Sequence, residues 1–198
     1  VKEVVRMGEL ARKDVRLGME TIQSYDEKKL KYVLEHEPVV DALERDITDY
    51  LTAMSSTEMS DSLSARHTGL LHACTDIERI GDHGETLAKR ARKLFEDDIK
   101  FSDEAKAELL QLSEMVLRAS ARALEALEKN DKDIAADAVR LCREVKQYQK
   151  VIRKNHIIRL NEHHCNPTAG FVMMELLINM KRVSDHSKNI AQLVQGTF

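Results

Sequence analysis

The stretch of sequence that decides the fold is Asp76-Ile77-Glu78-Arg79-Ile80-Gly81-Asp82-His83-Gly84-Glu85. Within it and on both sides, apolar and small residues recur at alternating steps of four and three, which is the spacing of one helix face. The stretch is therefore predicted to belong to a long helix, about residues 58–97. Because glycines leave that face without side-chain bulk, a neighbouring helix can approach it closely. The residues of this face are Leu70, Cys74, Ile77, Gly81, Gly84 and Ala88.

Three carboxylates lie beside this face and share its spacing: Glu78, Asp82 and Glu85. Like charges four residues apart destabilise a helix by roughly 0.2–0.5 kcal/mol per pair. Water or a cation must therefore offset the repulsion along this strip.

A second acidic strip with the same spacing occurs earlier in the chain, at Glu37, Asp41 and Glu44. If the two helices pack side by side, up to six carboxylates meet on one face. Hard oxygen ligands in that number suit Mg, Ca, Mn or iron. The alternative interpretation is a solvated acidic face paired with Lys or Arg, which is what charge runs usually form.

Composition favours a few long helices, because the 198 residues include only 7 Gly and 2 Pro and 33% are charged. The net charge of −3 predicts no nucleic-acid partner. Three widely spaced cysteines, an odd number, fit a reducing compartment better than a disulfide framework.

The apolar pattern predicts six helices, with breaks where capping residues and Pro interrupt it. Helix two begins near Ser24 and Asp26, helix four after Ser102, and helix six at Asn166-Pro167. Ser55-Ser56-Thr57 breaks the pattern before helix three, and His163-His164-Cys165 is interpreted as the surface end of helix five rather than a zinc module. The predicted bounds of the first five helices are about 2–23, 26–54, 58–97, 103–129 and 131–163, and the sixth begins at Asn166-Pro167.

The two halves of the chain resemble each other, which indicates an internal repeat. Glu78 to His83 aligns with Lys181-Arg182-Val183-Ser184-Asp185-His186. The predicted fold is therefore all-α, with six helices in two pseudo-repeated antiparallel three-helix bundles, residues 1–100 and 101–198, that form one compact unit.

These segments resemble the PhoU family. Glu78-Arg79-Ile80-Gly81-Asp82 is similar to its E-x-x-x-D signature, Val40-Asp41-Ala42-Leu43-Glu44 to its helix-two segment, and Lys181 to Ala191 to its closing segment. The resemblance implies two tandem three-helix bundles, metal clusters that often hold iron or zinc, and regulation of phosphate uptake. The ligands expected here are Asp41, Glu44, Glu78, Asp82, Glu37 and Glu85.

The resemblance also implies partners and a place of action. Related domains form the cytosolic portion of bacterial sodium/phosphate cotransporters. Since the chain begins at Val1 rather than Met, we expect such a tethered, dimeric regulatory domain at the inner face of the cell membrane. Its partner would be the membrane domain or the subunits of a phosphate transporter. The alternatives are a free-standing regulator of phosphate uptake and signalling, and a metal-free helical scaffold.

The second half departs from the family pattern at four positions where lysine or glutamine replaces an acid. Lysine has no acceptor lone pair and cannot ligate a metal, so a single site in the first half is predicted. Asp185 is expected to pair with a lysine, and a bare anion site made by the three lysines is the alternative. The departing residues are Lys146, Gln149, Lys181 and Lys188.

No enzyme is predicted. A carboxylate-bridged di-metal oxidase needs Glu-x-x-His pairs, and no Glu here has His three residues later. There is also no Walker-type phosphate loop. His83 and His186 point away from the acidic strip on a helical wheel and are interpreted as bundle-surface or interface residues.

Overall fold

The computed structural model describes residues 1–54, 60–162 and 166–196, and all regular structure in these ranges is α-helical. The predicted breaks at Ser55-Ser56-Thr57 and His163-His164-Cys165 lie outside the described residues. The described helices are α1 Lys2–Gln23, α2 Glu27–Met54, α3 Asp61–Glu96, α4 Asp103–Lys129, α5 Lys132–Asn161 and α6 Pro167–Gln195. The all-α prediction with six helices is confirmed.

Side-chain caps explain several of these boundaries. The carboxylate of Asp26 accepts hydrogen bonds from the first backbone N–H groups of α2, and Ser102 accepts one from Ala105 at the start of α4. Asn166 caps α6, with Pro167 in its first turn, where a missing N–H costs nothing. Asn130 ends α4 in the left-handed conformation that asparagine tolerates well. The caps predicted at Asp26, Ser102 and Asn166 are confirmed.

The helices pack as two sets of three that share a central layer. Helices α1, α2 and α3 contact one another, and so do α4, α5 and α6. Contacts between α3 and α6 and between α1 and α4 join the two sets, so α2 and α5 lie on the outside. One continuous apolar core runs through both sets, from Val4 in α1 to Val194 in α6. Within the described ranges, none of the helices is long and apolar enough to cross a membrane.

The tightest crossing in the first set joins α1 and α3 through two glycines. A Cβ placed on Gly84 would lie 2.8 Å from the backbone nitrogen of Val15, and one on Gly18 would lie 3.0 Å from the carbonyl oxygen of Gly84. Both contacts are to backbone atoms, which cannot rotate away. The close approach predicted from the glycines of the α3 face is thus made to α1.

Candidate metal centre

The acidic residues of the first set lie next to a tightly packed layer of its three helices. A Cβ placed on Gly81 in α3 would contact Val40 of α2 at 3.3 Å and Ala11 of α1 at 3.8 Å. Asp41 and Asp82 directly follow Val40 and Gly81 in sequence. The packing of α2 on α3 therefore brings the two acidic strips together at this level.

Three of the six predicted ligands converge. Glu37, Asp41 and Asp82 each offer a carboxylate oxygen, and these oxygens lie within 4.8 Å of one another. Oxygen–metal bonds are about 2.0–2.6 Å long, so two ligands of one ion stand at most about twice that distance apart. The three side chains are half-buried, and their separation fits a single divalent cation.

The electrostatics of the acidic residues also favour a cation. Burial raises the pKa of Glu37, and the negative charges of Asp41, Glu85 and Asp82 raise it further. Burial raises the pKa of Glu78 to about 7, with the charge of Asp82 as the next cause. Burial and negative neighbours thus make Glu37 and Glu78 harder to ionise, and a bound cation would oppose that effect.

The other three predicted ligands lie at the edge of this group or outside it. Glu78 is close enough to Asp82 for the two side chains to share a hydrogen bond. Glu85 acts on Glu37 through its charge. Glu44 accepts a hydrogen bond from Thr48 at 3.1 Å and is not one of the three converging carboxylates.

Basic side chains partly neutralise the strip, as the solvated-face alternative requires. Arg79 lies 3.0 Å from Asp82 and 3.4 Å from Glu78, and Lys89 lies 2.7 Å from Glu85. Both basic side chains are more than half exposed, so either can swing into water when an ion binds. The described ion pairs of this strip involve Asp82, Glu78 and Glu85, but not Glu37 or Asp41.

The matching strip of the second set has a different chemistry. Lys181 lies 2.5 Å from Asp185, as an i,i+4 pair on α6. The predicted pairing of Asp185 with Lys181 is therefore present. Asp185 matches Asp82 in the alignment of the two halves. Both acids have a basic partner, but only Asp82 also converges with two other carboxylates.

Sequence reasoning overlooked Asp14 of α1, which is 1% exposed. Burial raises the pKa of this carboxylate to about 7, the charge of Lys13 lowers it and that of Glu37 raises it. A signal was available in the sequence, because Asp14 falls on the helix face formed by Met7, Ala11 and Gly18. An acid at a core position of an amphipathic helix calls for an explanation.

The interpretation of His83 and His186 as interface residues is confirmed. The Nδ1 atom of His83 lies 2.9 Å from Oδ1 of Asn179, and that of His186 lies 2.7 Å from Oδ1 of Asp76. Both contacts join α3 to α6, so these histidines belong to the contact between the two sets of helices and not to the acidic strip.

Comparison with known proteins gives one consistent family. The PhoU domain family matches residues 4–91 and 109–194. The chain is 25% identical over 195 residues to a phosphate-specific transport system accessory protein PhoU homolog of Xylella fastidiosa, covering 98% of this chain and 81% of the relative. It is 24% identical over 193 residues to PhoU homolog 1 of Thermotoga maritima, covering 97% and 82%.

Solved structures show the same fold. The structure superposes with a TM-score of 0.90 on PhoU from Pseudomonas aeruginosa, at 23% identity over 98% of this chain and 92% of that one. It superposes with a TM-score of 0.85 on the phosphate transport system regulatory protein PhoU from Streptococcus pneumoniae, at 18% identity, covering 98% and 90%. Since the family match takes in both halves and most of the length, this chain belongs to the PhoU family.

Proposed function

We propose that this protein is an accessory regulator of phosphate transport that works by binding other proteins rather than by catalysis. The observation that carries the proposal is the family match over both halves, together with relatives that are named accessory proteins of phosphate-specific transport systems. These relatives favour a free-standing regulator over the tethered portion of a sodium/phosphate cotransporter. The partner in this proposal is a phosphate transporter or one of its subunits.

Phosphate uptake in cells tests this proposal. The gene is deleted in its source organism, and uptake of radiolabelled phosphate is measured with and without the restored gene. The proposal expects the deletion to change the uptake rate and the restored gene to reverse the change. Unchanged uptake in both phosphate-rich and phosphate-poor medium would overturn it.

The codons that precede Val1 test the choice between the free-standing and the tethered protein. The free-standing regulator expects no upstream membrane domain. Several upstream apolar stretches of about 20 residues, each long enough to span a bilayer, would instead make the protein part of a cotransporter.

The second part of the proposal is that the regulator binds a metal ion at Glu37, Asp41 and Asp82, with Glu78 and Glu85 beside them. The convergence of three carboxylate oxygens within 4.8 Å supports it. An all-oxygen site suits Mg or Mn by ligand hardness, and the family resemblance adds iron and zinc. Such an ion would hold α2 against α3, because Asp41 and Asp82 come from different helices.

A bound ion could regulate binding only by favouring one arrangement of the helices over another, and the shift is limited by its difference in affinity for the two arrangements. The outer position of α2 makes it the helix whose position an ion can change most easily. The homodimer remains a prediction, which light scattering on the purified protein measures directly.

Metal titration with a matched control tests the site. The wild type, a Glu37→Gln/Asp82→Asn double variant and an Asp185→Asn variant are titrated with Mn²⁺, Mg²⁺, Fe²⁺ and Zn²⁺ by calorimetry. Asp185 is the control because it matches Asp82 but pairs with Lys181. The double variant should lose binding and the control should keep it. Equal binding by all three proteins would overturn the assignment.

A further inference from the structure

The side chain of Asp14 is a buried acid whose two oxygens have no hydrogen-bond partner in the described part of the chain. It is 1% exposed, so bulk water does not supply the missing bonds. Leaving a buried polar group unsatisfied costs about 1–3 kcal/mol, and more when the group is charged. Apolar packing of the helices does not explain why an unsatisfied carboxyl group occupies this buried position.

Asp14 lies one helical turn from the layer formed by Ala11, Val40 and Gly81. Three residues further along the parallel helices α1 and α3 lie Asp14 and Gly84, and three residues back along the antiparallel α2 lies Glu37. The Cβ of Asp14 would lie 3.0 Å from a Cβ on Gly84, which confirms that Asp14 faces α3 at this level. The charge of Glu37 acts on Asp14 as well. Asp14 thus lies on the buried side of the acidic group.

The charge of Lys13 acts on Asp14, but Lys13 does not supply its missing hydrogen bond. The Nζ atom of Lys13 lies 2.6 Å from the hydroxyl of Tyr32 and 4.1 Å from the centre of its ring. The ring of His36 packs on the same tyrosine at 3.7 Å, and its buried Nδ1 also lacks a partner. Both Lys13 and His36 thus contact Tyr32, and neither forms a hydrogen bond with Asp14.

We propose that Asp14 is a further carboxylate of the metal site, contributed by α1 from the buried side. Because Asp14 is not one of the three converging carboxylates, its oxygens take their missing partner from a water molecule on the ion bound by Glu37, Asp41 and Asp82. This inference rests on the metal binding proposed above. It adds the third helix to the site, so that one ion ties α1, α2 and α3 together.

The competing explanation is that Asp14 is protonated and purely structural. In that case Asp14→Asn, which keeps the shape and removes the acid, should affect the metal-free and metal-loaded proteins equally. If Asp14 contributes to the site, the substitution removes a hydrogen bond to a ligand. Only the affinity for the metal and the stabilisation by the metal should then decrease.

The affinity for Mn²⁺, and the rise in melting temperature that Mn²⁺ causes, distinguish these two explanations of Asp14. Four full-length proteins are compared by calorimetry and by thermal unfolding with and without saturating Mn²⁺: wild type, Asp14→Asn, Glu9→Gln and Asp82→Asn. Glu9 is the control because it is an acid on the same helix, about half exposed and paired with Arg12. Should Asp14→Asn fail to fold, Asp14→Ser is measured in its place.

The proposal expects Asp14→Asn to weaken Mn²⁺ binding roughly 10- to 100-fold, the range seen when groups that support a metal ligand are removed. Without metal, this variant should melt at the same temperature as the wild type or higher. Mn²⁺ should raise its melting temperature by less than that of the wild type. Glu9→Gln should match the wild type throughout. Wild-type affinity in Asp14→Asn together with weakened binding in Asp82→Asn would overturn the role of Asp14 and leave the metal site standing. Absence of Mn²⁺ binding in the wild type would overturn both.

Discussion

The Nδ1 atom of His186 on α6 lies 2.7 Å from Oδ1 of Asp76 on α3, and this contact joins the two halves of the molecule. The alignment that pairs His83 with His186 also pairs Asp76 with Asn179. His83 contacts Asn179, and the two histidine rings lie 5.8 Å apart. The α3–α6 contact therefore repeats itself about a pseudo-two-fold axis, with an aspartate on one side and an asparagine on the other.

Asp76→Ala should destabilise the protein by about 1–3 kcal/mol, because it leaves His186 and the side-chain amide of Asn189 without their buried acceptor. Asp76→Asn, which keeps one acceptor oxygen, should cost less. The free energy of unfolding in urea measures both. Glu35→Ala removes an exposed acid paired with Lys31 and serves as the control. A loss in Asp76→Ala no larger than in the control would contradict a structural role for this contact.

Gly84→Ala should destabilise the protein by about 1–3 kcal/mol, the usual cost of overpacking a filled interior. The added Cβ would meet the backbone of Val15 at 2.8 Å, so α1 and α3 must move apart. Gly69→Ala in the same helix is the matched control, because its Cβ would meet only Leu193, at 3.9 Å. The control should stabilise α3 by about 1 kcal/mol through helix propensity. The free energy of unfolding of both variants is measured on metal-free protein. Similar changes in Gly84→Ala and Gly69→Ala would contradict the close crossing of α1 and α3.

His156 should contribute a loss of stability as the pH drops below about 6.5, the pKa of an unfolded histidine. Burial lowers the pKa of His156, and the charge of Arg159 lowers it further, against the opposing charge of Glu108. Below pH 6.5, His156 therefore takes up a proton in the unfolded chain while it stays neutral in the folded chain. The free energy of unfolding then decreases.

His156→Leu should make this decrease shallower by up to about 1.4 kcal/mol per pH unit, the limit for one proton. It should not cost a hydrogen bond at Nε2, because that atom has no partner in the described part of the chain. Urea unfolding between pH 5 and 8 measures both proteins. Parallel pH profiles would show that His156 contributes nothing to the acid sensitivity.

Glu37→Gln should raise the stability of the metal-free protein by a few tenths of a kcal/mol, since it removes one of three converging like charges. Glu35→Gln, two residues away, removes an exposed acid that pairs with Lys31 and should give no gain. Thermal unfolding in the presence of a chelator compares them. A loss of stability in Glu37→Gln would mean that this carboxylate makes a favourable contact in the metal-free protein.

The sequence alone was sufficient for the helices, because their signals are local. The periodic apolar face around Gly81, the cap at Ser102 and the Asn166-Pro167 start each act within a few residues. Each predicted boundary that falls on described residues agrees with the structure to within one residue. The match between Glu78 to His83 and Lys181 to His186 also indicated the fold, because two segments with the same residue pattern are expected to pack in the same way.

Only the tertiary structure decided which of the six acids converge and which acid of α1, Asp14, is buried. The register between α2 and α3 brings Glu37 and Asp41 to Asp82 and leaves Glu44 one turn away. The spacing along each helix is the same for both strips, so no local signal could select this register. Asp14 meets α3 through the packing of α1 against Gly84, a contact between residues about 70 positions apart in the chain. The helices follow from interactions within a turn, whereas the site depends on the relative position of three helices, which the packing of their side chains sets.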